Sequence, residues 1–108
     1  MNVPEIILQQ LGGNRFVAMT GVHTLIGHEN ALSMSLPRNK SKANRLCIEY
    51  TFMDDYIMRF YYHRPFRIDH KTGRVTLEEN VEIVRYEGVY CDQLCELFTD
   101  VTGLRTSL

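Results

Sequence analysis

Residues 45–63, RLCIEYTFMDDYIMRFYYH, constrain the fold more than any other part of the chain. On either side of Asp54 and Asp55 the residues alternate in character, a pattern typical of two strands joined by a turn. The set predicted to face the core is Leu46, Ile48, Tyr50 and Phe52, followed by Tyr56, Met58, Phe60 and Tyr62. The set predicted to face outward is Cys47, Glu49 and Thr51, followed by Ile57, Arg59, Tyr61 and His63. An antiparallel hairpin with one buried face is therefore expected.

Strand patterns continue on both sides of this hairpin. RFVAMTG predicts a short strand through Phe16, Val17 and Met19, and GHEN predicts a turn before the alternating run ALSMSLP. FRIDHKTGRVTL predicts a further hairpin in which Gly73 takes a positive φ, and VEIVRYEG predicts a last strand. Together these segments predict an antiparallel sheet of four to six strands.

Helix patterns occur at the two ends of the chain. NVPEIILQQLGG has Asn2 as a capping residue, Pro4 in the first turn and glycines at its end. At the other end Gly103 follows an apolar stripe made of Tyr90, Leu94, Leu97, Phe98 and Val101. We expect one α+β domain, residues 1–108, in which a short N-terminal helix and an amphipathic C-terminal helix cover the apolar face of the sheet in two layers.

Composition narrows the setting and the class of partner. The net charge of −1 removes the argument for nucleic acid that a pervasively basic domain would supply. Three cysteines cannot all pair within one chain, which favours a reducing, cytoplasmic environment. The N-terminus has no basic region followed by a long apolar run, so neither a signal peptide nor a membrane association is expected.

Cys91 and Cys95 in YCDQLCELF are the part of the chain that most resembles reactive chemistry. Zinc usually takes four ligands from two such pairs, and no second pair is present. The common redox motif has two residues between its cysteines, whereas this pair has three. The neighbouring acids Asp92 and Glu96 also disfavour a thiolate. We interpret both cysteines as small residues at the border of a packed helix, with a reactive thiol as the alternative.

The outward residues of YIMRFYYH form the main candidate site. Arg59, Tyr61 and His63 alternate on one strand and are predicted to bind a protein partner. The alternative is a nucleic-acid interface, because aromatic and arginine side chains on a sheet can stack and neutralise a nucleic-acid strand. That interface would use the basic loop 38–45 with the following cations: Arg38, Lys40, Lys42, Arg45, Arg64 and Arg67. Glu49 shares the exposed face and weakens this alternative.

No catalytic motif is present in the sequence. The chain has no G-x-S-x-G, P-loop or H-E-x-x-H pattern, and the adjacent carboxylates Asp54 and Asp55 are expected to point apart in a turn. We therefore expect no enzyme, no metal and no cofactor, with a small thiol-dependent enzyme as the second alternative. An uncovered sheet face or edge also allows a homo-oligomer.

Both ends of the chain carry a family resemblance. ILQQLGGNRFVAMTG and EGVYCDQLCELFTDVTGLRTSL resemble a family of small, functionally uncharacterised proteins of bacteriophages and other mobile elements. The resemblance covers about a third of the chain and carries no catalytic residue over. It implies a small phage or mobile-element protein in a bacterial cytoplasm. Together with the exposed strand residues and the lack of a catalytic motif, we expect a binding or accessory protein that engages a protein partner, with a host factor as one candidate.

Overall fold

The computed structural model describes residues 2–106, so Ser107 and Leu108 of the quoted C-terminal motif lie outside the described residues. The helices are α1 (Val3–Leu11), α2 (Asn14–Thr20) and α3 (Leu94–Thr102), the last preceded by a single 3-10 turn at Cys91–Gln93. The strands are β1 (His23–Gly27), β2 (Ala31–Ser35), β3 (Arg45–Tyr50), β4 (Tyr56–Arg64), β5 (Arg67–Ile68), β6 (Val75–Thr76) and β7 (Glu79–Val89). The predicted α+β class, with a helix near each end of the chain, is confirmed.

Five strands form one antiparallel sheet in the order β1-β2-β3-β4-β7, and β5 pairs separately with β6. The predicted hairpin of β3 and β4 is confirmed, with Leu46 opposite Phe60 and Ile48 opposite Met58. Leu32 and Met34 of β2 continue the same rows. Because side chains alternate along each strand, these residues share one face, and they are almost fully buried.

The helices lie against this apolar face. Asn2 caps α1, since its side-chain oxygen accepts from the Glu5 N–H at 3.1 Å. Ile7 and Leu11 of α1 and Leu94 and Phe98 of α3 enter the same core as the sheet residues. Gly103 ends α3 in the left-handed conformation, as predicted. The opposite face of the sheet, called here the outer face, receives none of these helices' buried side chains.

The strand predicted for Phe16, Val17 and Met19 is wrong, because these residues form α2. Gly13 and Gly21 have positive φ values and bound the helix. Phe16 and Thr20, four residues apart, are both buried, and the Phe16 ring packs edge-on against Phe98 with 5.0 Å between centroids. Residues four apart lie on the same side of a helix, so both side chains reach the core. In a strand, Ala18 would share the face of Phe16 as well.

Three residues assigned to the core are exposed. Phe52 is 97% exposed because β3 ends at Tyr50 and Phe52 lies in the following turn. Tyr62 lies on the core side of β4 but beyond the reach of the helices. Tyr90 precedes the 3-10 turn instead of joining the α3 stripe, and it is also exposed. In residues 2–106 no helix is long and apolar enough to cross a membrane.

Candidate binding face of the sheet

The outer face carries rows of polar side chains from four adjacent strands. The register places Cys47 of β3 between Ser33 of β2 and Arg59 of β4, with Arg85 of β7 next in the row. The neighbouring row, in the same strand order, contains Ser35, Arg45, Tyr61 and Glu82. His63 and Asn80 are paired beyond it. Strand pairing therefore holds these side chains on rigid backbone instead of on loops.

A shallow groove of about 590 Å³ lies on this face. It is lined by His28, Ala31, Ser33, Cys47, Glu49, Arg59, Tyr61, Asn80 and Glu82. The lining mixes hydrogen-bond donors, acceptors and both signs of charge around one aromatic ring. Such a lining suits recognition of a polar segment.

Arg59 lines the groove and has no carboxylate partner among the residues that the structure describes. Its Nη2 donates to the Cys47 Sγ at 3.7 Å, while the buried Nε has no hydrogen-bond partner among the described residues. The hydrogen bond with Cys47 raises the pKa of Arg59, and the nearby carboxylates Glu49 and Glu82 raise it further. No Asp or Glu within residues 2–106 approaches its guanidinium closely enough to form an ion pair. The guanidinium therefore stays cationic with donor capacity to spare.

His63 and Asn80 extend the face toward the far end of β4. The His63 Nδ1 lies 2.7 Å from the Asn80 Oδ1, and it lies 4.0 Å from the Glu78 carboxylate. The structure thus places the three residues proposed for a partner site, Arg59, Tyr61 and His63, on one face of one strand. They form a continuous surface with residues of β7.

The six cations proposed for nucleic acid do not form one patch. Arg45 lies on the outer face and donates to the Ser35 hydroxyl. Lys40 lies elsewhere, because its N–H donates to the Thr102 carbonyl at 3.1 Å at the C-terminal end of α3. Arg64 forms an ion pair with Glu79 at 2.9 Å. The remaining three, Arg38, Lys42 and Arg67, are exposed.

Charges on the outer face are balanced. Arg85 forms ion pairs with Glu82 at 3.8 Å and with Glu87 at 3.4 Å. These carboxylates neutralise the cation that lies directly beside Arg59 in the row. Glu49 adds a further carboxylate to the groove. The face therefore lacks the single-sign potential that attracts a phosphate backbone.

Cys91 and Cys95 have separate surroundings. Cys91 is exposed in the 3-10 turn, where the Gln93 side chain accepts from the Tyr90 N–H at 3.0 Å. Cys95 is half-buried in α3, and its thiol donates to the Leu11 carbonyl at 3.2 Å. That contact joins α3 to the end of α1, which makes Cys95 a packing residue. In the described part of the chain no three His, Cys, Asp or Glu residues are grouped as a metal site would require.

Sequence reasoning missed the contribution of β7 to the face. VEIVRYEG has no clean alternation, because a bulge between Phe60 and Tyr61 shifts the pairing of β4 with β7. Ile83 falls at this irregularity and interrupts the alternation along β7. The face of Asn80 and Glu82 could therefore not be assigned from spacing alone. Asn80 and Glu82, two positions apart, were the available signal, because alternation places both on one side of the strand.

Comparison with known proteins adds no assignment, since no family model, curated protein or solved structure matches the chain.

Proposed function

We propose that this chain is a small non-enzymatic binding protein that captures a protein partner on the outer face of its sheet. Arg59 is the central contact and binds a carboxylate of the partner, with Tyr61 and His63 beside it. The single observation that carries the proposal is that Arg59 lines the groove and that its guanidinium forms no ion pair with a carboxylate within residues 2–106. A guanidinium with unused donors is suited to bidentate recognition of a carboxylate.

The surroundings of Arg59 support a protein partner. Tyr61 adds a rigid aromatic surface next to the cation, and Tyr and Arg are the residue types that contribute most energy at protein interfaces. Both residues lie on the paired strand β4, so no backbone has to become ordered when a partner binds. The uncovered face supports binding without any change in the core.

Charge distribution favours protein over nucleic acid. Ion pairing neutralises Arg85 and Arg64, and the Lys40 side chain lies beside Gly103 at the end of α3. A phosphate backbone would meet Glu49 and Glu82 in the same groove as Arg59. A protein segment that presents both signs of charge matches this arrangement better.

The setting belongs to the same proposal. We infer a bacterial cytoplasm and a phage or mobile-element origin, for which the resemblance of LGGNRFVAMTG and the C-terminal motif is the support. A host protein is then the first partner to seek. The choice of a bacterial lysate as the source of partners follows from this inference.

The test is affinity capture from bacterial lysate with immobilised protein, followed by mass spectrometry and a binding measurement on each purified candidate. Arg59→Ala with Tyr61→Ala is expected to weaken the affinity by at least about tenfold, since residues of this type at an interface centre contribute about 1–4 kcal/mol each. Arg15→Gln is the matched control, because Arg15 is an exposed arginine of α2 in the helical layer.

Equal affinity of the double variant and the wild type for every captured protein would overturn the proposed face. Fluorescence anisotropy with single- and double-stranded oligonucleotides covers the alternative. Binding that falls steeply between about 50 and 200 mM salt would assign the surface to nucleic acid instead.

A further inference from the structure

The two small strands β5 and β6 continue the pairing of β4 with β7. Arg64 is opposite Glu79 at the end of the main sheet, and Arg67 is opposite Thr76 in the small one. Two residues intervene on each side, Pro65 and Phe66 on one strand and Leu77 and Glu78 on the other. Equal spacing keeps the register, and the missing N–H of Pro65 accounts for the interruption of the ladder. Residues 62–81 therefore form one long hairpin, called here the β-arm.

Alternation along the β-arm places its apolar residues on one side. Tyr62 is opposite Val81, and Ile68 is opposite Val75. Phe66 and Leu77 fall opposite each other between these pairs on the same side. Glu78 contacts His63 on the outer face, which agrees with this assignment because Leu77 must then point to the other side. The three apolar pairs continue the core-facing side of the sheet. The ion pair of Arg64 and Glu79 lies on the same side, between the Tyr62–Val81 pair and the Phe66–Leu77 pair.

No helix of the described chain, residues 2–106, covers this continuation. Phe66, Ile68, Val75 and Leu77 are each 49–68% exposed, and Tyr62 and Val81 are about 40% exposed. The molecule is elongated, with extents of 49 × 32 × 22 Å. A two-stranded ribbon with an uncovered apolar side is marginally stable by itself in water. Its tip is nevertheless well formed, since the Asp69 N–H donates to the Arg74 carbonyl at 2.8 Å.

We propose that the apolar side of the β-arm is the dimer interface of this protein, covered by the same surface of a second copy. Applying the exposed fractions to whole side chains gives on the order of 500 Å² of apolar surface on the six residues. A standard interface buries about 800 Å² per partner, of which about 60% is apolar. The apolar stripe thus supplies the amount of apolar area that one partner of a stable dimer contributes.

Charge on the β-arm also fits a second copy. Residues 62–81 contain four cations (Arg64, Arg67, Lys71 and Arg74) and three carboxylates (Asp69, Glu78 and Glu79). Nearly balanced charges let the arm meet an identical arm without net repulsion. A membrane surface or a nucleic acid would instead favour a clear excess of cations. This interface is separate from the proposed partner face, because the stripe lies on the opposite side of the sheet.

Sedimentation equilibrium tests the proposal. The wild type is expected to be a dimer at about 100 µM, and Phe66→Ser with Leu77→Ser is expected to raise the dimer dissociation constant at least about tenfold. Phe52→Ser with Met53→Ser is the matched control, because these exposed apolar residues lie in the turn at the other end of β4. The control is expected to remain a dimer.

Hydrogen exchange of the wild type gives an independent reading without any substitution. Amides of β5 and β6 are expected to exchange more slowly at about 100 µM than at about 1 µM, because dimerisation protects the arm. A wild type that stays monomeric at the higher concentration overturns the proposal, as does a serine variant with an unchanged dissociation constant. A monomer that co-sediments with phosphatidylglycerol vesicles through Phe66 and Leu77 also overturns it and assigns the stripe to a membrane.

Discussion

Arg59 and Cys47 lie directly opposite each other in the β3–β4 register, and the Arg59 Nη2 donates to the Cys47 Sγ at 3.7 Å. Cys47 lies on the outer face yet is only 8% exposed, so neighbouring side chains of that face, including Arg59, shield its thiol. The contact orients the guanidinium across the row of the sheet. It also leaves the Nε without a hydrogen-bond partner in the described chain.

Thiol reactivity follows from these positions. Cys91 is exposed, Cys95 is half-buried and Cys47 is buried, so a disulfide reagent is expected to modify one thiol quickly and two slowly. Cys91→Ser should remove the fast phase, which stopped-flow absorbance with a chromogenic disulfide measures directly. Arg59→Ala should speed the slowest phase by about tenfold, because access limits the reaction of a buried thiol. Arg85→Ala is the control, and an equal acceleration there would contradict the shielding by Arg59.

Asn44 extends the β3–β4 ladder through its side chain. Its Nδ2 donates to the His63 carbonyl at 2.9 Å, and its Oδ1 accepts from the His63 N–H at 2.7 Å. Asn44→Ala should lower the free energy of unfolding by about 1–3 kcal/mol and speed amide exchange at His63. Asn44→Asp keeps the acceptor and should protect that amide better than alanine does. Unchanged exchange in the alanine variant would show that the two hydrogen bonds do not hold this end of β4.

Substitutions at Phe16 test whether α2 packs against the core. The side chain is fully buried against Phe98, so Phe16→Ala should leave a cavity and lower the free energy of unfolding by about 3–5 kcal/mol. Phe16→Leu keeps most of the volume and should cost about 1.5 kcal/mol. Urea unfolding followed by circular dichroism measures both values. A loss below about 1 kcal/mol for the alanine variant would place Phe16 outside the core.

The ionisation of Tyr56 is expected to make the free energy of unfolding depend on pH in the alkaline range. Burial raises the pKa of Tyr56, although the hydrogen bond that its hydroxyl donates to Gln10 acts in the opposite direction. The unfolded chain therefore ionises this tyrosine at lower pH than the folded chain does. Its contribution is fully present below about pH 10, the unfolded pKa, and is lost as the pH rises through the higher folded value.

Tyr56→Phe should consequently show a shallower loss of stability above pH 10 than the wild type, in urea titrations between about pH 8 and 11. Tyr61→Phe is the control on the opposite face of β4. Parallel stability curves for the wild type and Tyr56→Phe would contradict the assignment of this pH dependence to Tyr56.

The sequence predicted the fold better than the site. The alternation of apolar residues in β3 and β4 could be recognised in the sequence because the apolar set enters a single core. Its members include Leu46, Ile48, Met58 and Phe60. The strand prediction at Phe16 was wrong because a short apolar run such as Phe16, Val17 and Met19 fits a strand as well as a helical turn. The tertiary contact with Phe98 stabilises the helix, and that contact joins residues far apart in the sequence.

The groove required information that local patterns do not contain. Arg59, Tyr61 and His63 share a face by alternation within one strand, so sequence analysis could group them. Glu82 joins Tyr61 only through the shifted register of β4 with β7. Lys40 lies apart from the other cations, because its backbone N–H donates to the Thr102 carbonyl at the C-terminal end of α3. Both facts depend on long-range pairing.

Site-specific photo-crosslinking tests the proposed binding face most directly. A photoreactive amino acid replaces Ile57, which lies on the outer face two residues before Arg59, or Arg15 of α2 as the control. In bacterial cells the position 57 variant is expected to form a crosslink to one partner protein, and Arg59→Ala in the same chain is expected to abolish it. The position 15 variant should not form that crosslink. The same crosslink from position 15, or its persistence without Arg59, would contradict a partner bound on the outer face.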